Sequence, residues 1–357
     1  MDRNKSVRIR KISVRDYKGV DELEMEFPEP RMPGDPDILV MGSGNGVGKT
    51  VVIECLSLLS FAFDLREKSS NSRNGYSTVD APDLLIKAGS RFAEISGEIA
   101  IGDEAVSVQV RIERDGTVKI TGASPREKWL EEDPFDPESE VDDFIKAICG
   151  FTPNPVIGNK FLLFHGYRKV QEGNLDLGMM VKRGRLPRRQ AFQRDEFPVS
   201  AFKLEVLRSL TRESNMFESV EGHEPGEAIE KLNELTRFYA GGALGKPRLS
   251  SDNAVDIRVK PINGDESFSF DALSSGQKEI VSTLFLIWLH TKNKPSIALI
   301  DEPELHLNAQ WRRGFVNNLV SLAPRNQYIM ATHSEDIMDS VGKDRRILLL
   351  SINDGGK

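Results

Sequence analysis

Residues 297–302, IALIDE, form the stretch on which the prediction of the fold depends. Four apolar residues in a row indicate a strand that is buried on both faces, as in a parallel sheet covered by helices. Asp301 and Glu302 follow this strand directly, and ligands of open α/β sheets bind at the carboxyl ends of the strands. The alternative, an acidic pair that only caps the next helix, is less favoured because surface caps rarely follow so apolar a run. The stretch therefore predicts a carboxylate site at the edge of a sheet.

A phosphate-binding loop is predicted upstream, at Gly44-Asn45-Gly46-Val47-Gly48-Lys49-Thr50. Its glycines let backbone N–H groups approach a phosphate, Lys49 can reach the β- and γ-phosphates, and the Thr50 hydroxyl can bind Mg²⁺. The flanks agree, because 38–41 predicts a buried strand and 50–63 predicts an apolar helix whose N-terminus favours an anion. Position 43 carries Ser, a small residue that turns tolerate, where the usual pattern has glycine.

A second helix start with phosphate-binding character lies at residues 273–277, LSSGQ. It opens a predicted amphipathic helix over 278–291, so Ser274, Ser275 and Gly276 offer N–H groups and a hydroxyl at the positive helix end. An ordinary serine N-cap is the alternative. Because the phosphate loop already has its own lysine and metal ligand, we expect this helix end to cap the ATP of a second subunit.

His333 lies in residues 331–334, ATHS, after another predicted strand at 327–331. A lone histidine is more often structural than functional. This one follows the acidic pair by one predicted helix, 308–322, and one strand, so it is expected at the same edge of the sheet. An imidazole at that edge can contact a γ-phosphate and sense its loss.

Taken in chain order, the four stretches resemble the Walker A, signature, Walker B and switch-histidine motifs of the ABC-type ATPases. Within this family the chain resembles the non-transporter branch, which includes RecF, the structural-maintenance-of-chromosomes (SMC) proteins and the OLD-type ATPases. Residues 301–307, DEPELHL, are similar to the form found in the OLD and RecF-like group. The Ser-Ala-Leu-Asp stretch that is usual in transporter subunits is absent. Residues 7–27 resemble the opening strand pair of this branch, and Lys18 stands in the segment that approaches the nucleotide. The resemblance covers about 1–120 and 255–352.

The resemblance implies an α/β fold of the P-loop NTPase, ABC-ATPase type. A mainly parallel central sheet would be flanked by helices, with an antiparallel β side sheet and a helical lobe insertion. Residues 1–125 would form the N-terminal part of the ATPase domain, 126–255 the insertion and helical lobe, and 256–357 the C-terminal part. Alternating apolar and polar residues over 91–121 predict the meander of the side sheet. Residues 66–78 are polar and predict an exposed loop.

The resemblance also implies the ligands and the site residues. ATP and Mg²⁺ would be bound between two subunits, with the signature of one subunit facing the phosphate loop of the other. Catalysis would fall to Lys49, Glu302 and His333, and Mg²⁺ binding to Thr50 and Asp301. The nucleotide would be bound by Lys18, Gly44, Asn45, Gly46, Val47, Gly48, Lys49, Thr50, Ser274, Ser275, Gly276 and Gln277.

Two segments in the middle of the chain allow more than one interpretation. Residues 159–171 are apolar and then polar, which fits a buried strand that ends in a turn. They also fit the passage from the sheet to the helical lobe, in which case Arg168 or Gln171 would contact the metal site or a partner. Residues 131–143 hold eight acidic and no basic side chains and are expected to form a solvated loop, with a partner-docking segment as the alternative.

A basic segment at 182–194 is a possible contact for nucleic acid, because several cations there would neutralise phosphates in a salt-dependent way. The net charge of −7 for the whole chain disfavours general nucleic-acid binding. A solvated loop or a docking site for an acidic partner is the alternative. The cations are Lys182, Arg183, Arg185, Arg188, Arg189 and Arg194, and the helices predicted next span 200–220 and 226–240.

Composition restricts the class of protein. A chain of 357 residues with 39% hydrophobic residues can form a substantial core. Two cysteines, Cys55 and Cys149, do not suggest a disulfide framework, and the N-terminus lacks the apolar segment of a secretion signal. No apolar run approaches the ~18–20 residues of a membrane span. A cytoplasmic protein without a membrane partner is expected.

The resulting expectation is an ATPase whose ATP-dependent homodimer, or higher oligomer, gates a partner in DNA processing, DNA repair or anti-phage defence. No acidic cluster remains for a two-metal nuclease, so in a complete chain a separate nuclease or toxin effector would act. The chain could equally be an excised ATPase domain. Two rival functions stay open: the nucleotide-binding subunit of a membrane transporter, and a slowly hydrolysing scaffold that uses ATP only to assemble.

Overall fold

The computed structural model describes residues 6–32, 34–42, 48–68, 75–78, 82–122, 144–148, 153–173, 175–176, 200–213, 226–249 and 254–349. Part of the predicted phosphate loop, Gly44 to Val47, lies outside the described residues. The acidic segment 131–143 and the basic segment 182–194 lie outside them as well.

Eighteen strands are found in the described residues. In chain order they are β1 (Val7–Tyr17), β2 (Val20–Glu26), β3 (Asp37–Gly42), β4 (Gly75–Thr78), β5 (Phe92–Ile101), β6 (Glu104–Glu113), β7 (Thr117–Gly122), β8 (Val156–Ile157), β9 (Phe161–Phe164), β10 (Leu175–Asp176), β11 (Gly242–Leu244), β12 (Arg248–Leu249), β13 (Ala254–Asp256), β14 (Arg258–Pro261), β15 (Phe268–Ser269), β16 (Ile297–Asp301), β17 (Gln327–Thr332) and β18 (Arg346–Leu348).

The α-helices alternate with these strands. They are α1 (Lys49–Lys68), α2 (Ala201–Glu213), α3 (Glu227–Ala240), α4 (Ser275–Thr291), α5 (Ala309–Leu322) and the single turn α6 (Glu335–Met338). Short 3₁₀ turns occur at Pro82–Leu84, Phe270–Ala272 and Lys343–Arg345. Within the described part of the chain, no helix combines the length and the apolarity needed to cross a bilayer.

The central layer is a six-stranded sheet with the strand order β18-β3-β17-β16-β9-β8. Its first five strands run parallel and β8 pairs antiparallel with β9. Every residue of β16 and β17 is buried, as a parallel sheet covered on both faces requires. The strands predicted at 38–41, 297–300 and 327–331 are confirmed. The carboxyl ends of β3, β9, β16 and β17 therefore meet at one edge.

The side sheet is antiparallel, with the order β2-β1-β5-β6-β7-β4. The hairpins β5-β6 and β6-β7 confirm the meander predicted over 91–121, and the β1-β2 pair confirms the strands predicted over 7–27. The exposed loop predicted at 66–78 is wrong in part. Helix α1 continues through 66–68, and 75–78 form β4, which pairs with β7. An edge strand needs only the main-chain hydrogen bonds of one neighbour, so a polar composition does not prevent it.

Helix α1 packs between the two sheets, in contact with β5 and β6 on one side and with β9, β16 and β17 on the other. This position explains why the helix is apolar around most of its circumference, with Ile53, Leu56 and Leu59 almost fully buried. A Cβ built on Gly97 of β5 would lie 2.5 Å from Leu59 Cδ2 and 2.5 Å from the Lys11 carbonyl oxygen. Only glycine lets strand and helix approach this closely.

The opposite face of the central sheet carries the second core, formed with α3, α4 and α5. Residues of β16 alternate between the two cores, with Leu299 in the first and Ala298 and Ile300 in the second. The helices predicted over 278–291, 308–322 and 226–240 are confirmed, as is the start of the one over 200–220. Small three-stranded sheets, β10-β13-β12 and β11-β14-β15, complete the described fold.

One glutamine joins the side sheet to the central sheet. Gln327 Oε1 accepts a hydrogen bond from Ile9 N at 2.7 Å, and Gln327 Nε2 donates to Ile9 O at 2.9 Å. The pairing of β1 with β5 shifts register between Ile9 and Lys11, so the glutamine amide contacts the backbone of β1 at the edge of this irregularity. Both Gln327 and Ile9 are buried.

We predict that Gln327→Leu lowers the free energy of unfolding by roughly 2–4 kcal/mol, because it leaves a buried N–H and a buried carbonyl without partners. The measurement is equilibrium unfolding in urea. The matched control is Gln109→Leu on β6, where the half-buried glutamine accepts a hydrogen bond from the Thr121 hydroxyl, and this variant should change stability by less than about 1 kcal/mol. Equal losses in the two variants would contradict the bridging role of Gln327.

Candidate functional site

The edge where β3, β16 and β17 end brings together four side chains predicted from separate parts of the sequence. Lys49 Nζ lies 3.3 Å from His333 Nδ1, and the Thr50 hydroxyl donates to Asp301 Oδ2 at 2.9 Å. Lys49 and Asp301 are 5% and 4% exposed. The structure therefore brings Lys49 and Thr50, from the end of the predicted phosphate loop, to the same edge as Asp301 and His333.

The start of α1 positions Lys49 and Thr50. Gly48 adopts a left-handed φ of 87°, and its carbonyl accepts the hydrogen bond of Val52 N at 3.0 Å. Glycine adopts this conformation without the strain that a side chain would bring. The N-terminal end of this helix and the Lys49 ammonium together favour an anion.

The electrostatics of the edge are those of a buried charge cluster. Burial raises the pKa of the Asp301 carboxyl to about 6, although the hydrogen bond from Thr50 opposes the shift. Burial also lowers the pKa of Lys49, against the attraction of Asp301, Glu304 and Glu302. A cation bound at Asp301 would stabilise its ionised form.

The Thr50 hydroxyl and the Asp301 carboxylate could hold Mg²⁺, which prefers hard oxygen ligands. Their oxygens already lie 2.9 Å apart at the sheet edge, so the donor set fits the ion. Among the described residues, no three His, Cys, Asp or Glu side chains cluster as a complete metal site. Mg²⁺ does not need one, since it usually keeps several waters and takes one or two carboxylates together with substrate phosphates.

Glu302 begins a tight turn at the end of β16. Its φ of 48° is left-handed, and its N–H donates to Ala331 O of β17 at 2.8 Å. The side chain lies against the turn that follows β9, where a Cβ built on Gly166 would come within 3.2 Å of Glu302 Oε2. Sequence reasoning did not identify Gly166, although a glycine directly after an apolar strand was a usable signal.

Glu304 holds the segment that carries His333. One carboxylate oxygen accepts from the Thr332 hydroxyl at 2.7 Å, and the other accepts from His333 N at 2.7 Å. Ser334 N in turn donates to the Thr332 hydroxyl at 2.9 Å. Sequence reasoning gave Glu304 no role. Its place as the third acidic residue of 301–304 was the available signal.

Lys18 lies at the turn between β1 and β2, beside the start of α1. It forms an ion pair with Glu54, with Nζ and Oε2 2.5 Å apart, and Tyr17 donates to the same oxygen at 3.4 Å. Burial raises the pKa of Glu54, against the nearby Lys18 charge. Lys18 thus contacts α1 through Glu54. Its contact with a nucleotide stays a prediction.

The predicted signature segment forms the start of α4. Ser274 is the N-cap: its hydroxyl oxygen accepts from Gln277 N, and Gln277 Oε1 accepts from Ser274 N, which makes a capping box. A Cβ on Gly276 would lie 2.3 Å from the His306 carbonyl oxygen, so only glycine fits there. Ser274 is thus an ordinary N-cap, as the alternative interpretation predicted. Ser275, the next residue, is exposed.

The structure does not bring the signature segment to the Lys49 group of the same chain. Among the described residues, the side-chain hydrogen bonds of 274–277 stay within that segment or reach the Tyr239 carbonyl of α3. The action of this segment on a second subunit stays a prediction.

A buried histidine lies next to the site, directly after β9. The His165 ring stacks on Tyr167 with the ring centres 4.0 Å apart, and the residue is 4% exposed. Burial, with a smaller contribution from the Arg168 charge, lowers the pKa of His165 to about 4. The imidazole is therefore neutral near pH 7.

A family model matches residues 162–339, just under half of the 357 residues. The family is described as "AAA domain, putative AbiEii toxin, Type IV TA system". The matched part runs from β9 to the end of α6, so it includes the signature segment, Asp301, Glu302 and His333.

Solved structures of similar fold span nearly the whole chain. The SMC head bound to the C-winged helix domain of ScpA has a TM-score of 0.52 and 17% identity, covering 93% of this chain and 91% of that chain. An SMC head with an extended coiled coil, bound to the C-terminal domain of ScpA and derived from Pyrococcus furiosus, has a TM-score of 0.51 and 16% identity, covering 94% and 92%. These likenesses show the fold, and the predicted fold class is confirmed.

We predict that the neutral His165 makes stability fall with acid. The folded pKa lies below the unfolded value of about 6.5, so the unfolded chain binds more protons and stability is lost as pH falls from about 6.5 towards 4. In urea unfolding at pH 7 and pH 4.5, His165→Phe should lose less stability than wild type, by up to about 3 kcal/mol. A wild-type slope in His165→Phe would contradict the assignment.

Proposed function

We propose that this chain, a P-loop ATPase of the non-transporter ABC type by its fold, binds ATP with Mg²⁺ and hydrolyses the ATP between two copies of itself. One observation carries the proposal. Lys49, Thr50, Asp301 and His333 come from distant parts of the chain and meet at the carboxyl edge of the sheet, with Lys49 to His333 and Thr50 to Asp301 in direct contact. A phosphate fits this constellation of cation, metal ligands and helix N-terminus.

Binding would use the start of α1. The Lys49 ammonium and the first N–H groups of the helix would neutralise the β- and γ-phosphates of ATP. Thr50 and Asp301 would hold Mg²⁺ through their oxygens, and the bound ion would neutralise further charge on the phosphates. The Lys49–His333 and Thr50–Asp301 contacts would open to admit the nucleotide.

Hydrolysis would depend on Glu302, whose carboxylate would orient the attacking water and accept its proton. The turn that carries it is fixed through Ala331 O, and the lack of a side chain at Gly166 leaves room for the Glu302 carboxylate. His333, held by Glu304, would contact the γ-phosphate and respond to its departure.

The second copy would supply the signature segment. The start of α4 is capped internally by Ser274 and Gln277, which leaves the N–H groups of Ser275 and Gly276 and the Ser275 hydroxyl for a phosphate. In such a composite site hydrolysis depends on closure of the dimer. The dimer would close when ATP binds and open again after phosphate leaves.

The partner gated by this cycle is proposed to be a protein effector in DNA processing or anti-phage defence. The SMC heads of similar fold are bound to ScpA, and the matching family is described with a toxin, which supports a protein partner. The cations at 182–194 would add a contact with DNA, tested by its effect on ATP turnover at several salt concentrations. A nucleotide-binding subunit of a membrane transporter is the weaker alternative. ATP-dependent assembly without phosphate release would instead favour a scaffold that uses ATP only to assemble.

We predict that Glu302→Gln reduces the turnover number for ATP by at least about 100-fold while ATP binding persists, because the amide cannot accept a proton from water. The measurements are phosphate release and the mass of the protein in solution with ATP, where the variant should accumulate as a dimer. The matched control is Glu335→Gln, an exposed carboxylate at the start of α6, which should turn over normally. Wild-type turnover in Glu302→Gln would falsify the role of Glu302.

We predict that Glu304→Ala lowers turnover roughly tenfold, because His333 N and the Thr332 hydroxyl lose their shared acceptor and the imidazole is no longer positioned. The measurement is a double-mutant cycle with His333→Ala. If Glu304 acts through His333, the double variant should be no slower than the slower single variant. Losses that multiply would show that Glu304 acts independently.

A further inference from the structure

Arg168 is a buried arginine that binds the backbone of the Walker B turn, residues 301–307. Its Nη1 donates to Asp301 O at 2.7 Å and to His165 O at 3.0 Å, and Nη2 lies 3.3 Å from Glu302 O, to which it donates. The side chain is 5% exposed. It therefore fixes the two carbonyls that flank the left-handed Glu302 without occupying either carboxylate.

The other edge of the same guanidinium faces the signature helix. Arg168 Nε lies 3.7 Å from Glu279 Oε2, and Val170 N donates to Glu279 Oε1 at 2.9 Å. Glu279 is 8% exposed and belongs to α4, five positions after the N-cap Ser274. The segment that follows β9 thus holds both the helix of the signature and the turn of the Walker B motif.

A second contact makes this connection rigid. Gly276, at the start of α4, packs so closely on the His306 carbonyl that a Cβ would lie 2.3 Å from the oxygen. His306 itself has a left-handed φ of 64°. With contact at Gly276 and an ion pair at Glu279, α4 cannot shift without moving the Walker B turn.

We propose that Arg168 is a positioning residue that couples the two ATP sites of the dimer. The inference rests on the proposed function, in which the signature of a chain acts at one site and its Glu302 acts at the other. Engagement of Ser275 and Gly276 by the ATP of the second copy pulls on α4. Glu279 and Arg168 pass this displacement to the carbonyls of Asp301 and Glu302.

The chemistry of the link requires arginine. A guanidinium can donate to several carbonyls and face a carboxylate at the same time, because its N–H groups form a rigid planar fork. Lysine keeps the charge opposite Glu279 but offers a single nitrogen, so it cannot hold Asp301 O and Glu302 O in the same geometry. Because Arg168 and Glu279 are both buried, removal of either one leaves an unpaired buried charge, which is unfavourable.

The test compares Arg168→Lys with Arg345→Lys. Arg345 is a matched control, because it is equally buried and donates to two backbone carbonyls, Pro28 O at 3.0 Å and Glu29 O at 3.1 Å, away from the site. We expect Arg168→Lys to lower kcat at least about tenfold with the Kd for a fluorescent ATP analogue changed less than about threefold. Arg345→Lys should lose thermal stability to a similar extent and keep kcat.

Coupling is measured by a double-mutant cycle on kcat between Arg168→Lys and Ser275→Ala. Transmission from the signature through Arg168 makes the two losses non-additive, because either change alone breaks the same path. Losses that multiply, or a wild-type kcat in Arg168→Lys, would overturn the coupling. A kcat loss in Arg345→Lys equal to that in Arg168→Lys would show a purely structural effect and overturn it too.

The same measurements separate this inference from the proposed function. Wild-type hydrolysis that is abolished in Glu302→Gln, together with full activity in Arg168→Lys, would overturn the coupling alone. A wild-type chain that releases no phosphate from ATP would overturn the proposed ATPase, and the coupling of its two sites with it.

Discussion

The burial of the Asp301 carboxylate at the end of an apolar strand is the constraint on which the rest of the site depends. A charge removed from water must be balanced by hydrogen bonds, by an opposite charge or by protonation. The Thr50 hydroxyl supplies a hydrogen bond and Arg168 supplies a nearby positive charge, but burial outweighs both and raises the pKa of Asp301 to about 6. A cation bound beside Asp301 would stabilise its ionised form.

Helix α1 connects this site to the side sheet. Helix α1 is packed against a sheet on both sides. A displacement of Lys49 and Thr50 at its start therefore moves the residues packed against it. The ion pair of Lys18 with Glu54 ties the β1-β2 turn to the same helix, and Gln327 ties β1 to the central sheet. The start of α1, with Lys49 and Thr50, and the side sheet are thus physically connected.

The Walker B turn is where the remaining connections converge. Two residues with left-handed backbones, Glu302 and His306, fold 301–307 into a compact turn that faces β17, the turn after β9 and α4 at once. Non-glycine residues in this conformation carry strain and persist where the surroundings hold them. Two side chains hold this turn. Arg168 donates to its main-chain carbonyls, and Glu304 accepts hydrogen bonds from the segment that carries His333.

The sequence alone determined the central strands, α1, α4 and the meander, because runs of apolar residues and their period report local structure directly. It also placed the acidic pair, the phosphate loop and the histidine at one edge, since parallel strands end together.

Only the tertiary structure decided the partners of Arg168, Glu304 and Gln327. Arg168 lies 133 positions from Asp301, and Gln327 lies 318 positions from Ile9. Such contacts follow from how strands and helices stack, and no local pattern encodes them. The edge strand β4 was missed for the same reason, because its hydrogen bonds come from β7 and not from its own composition.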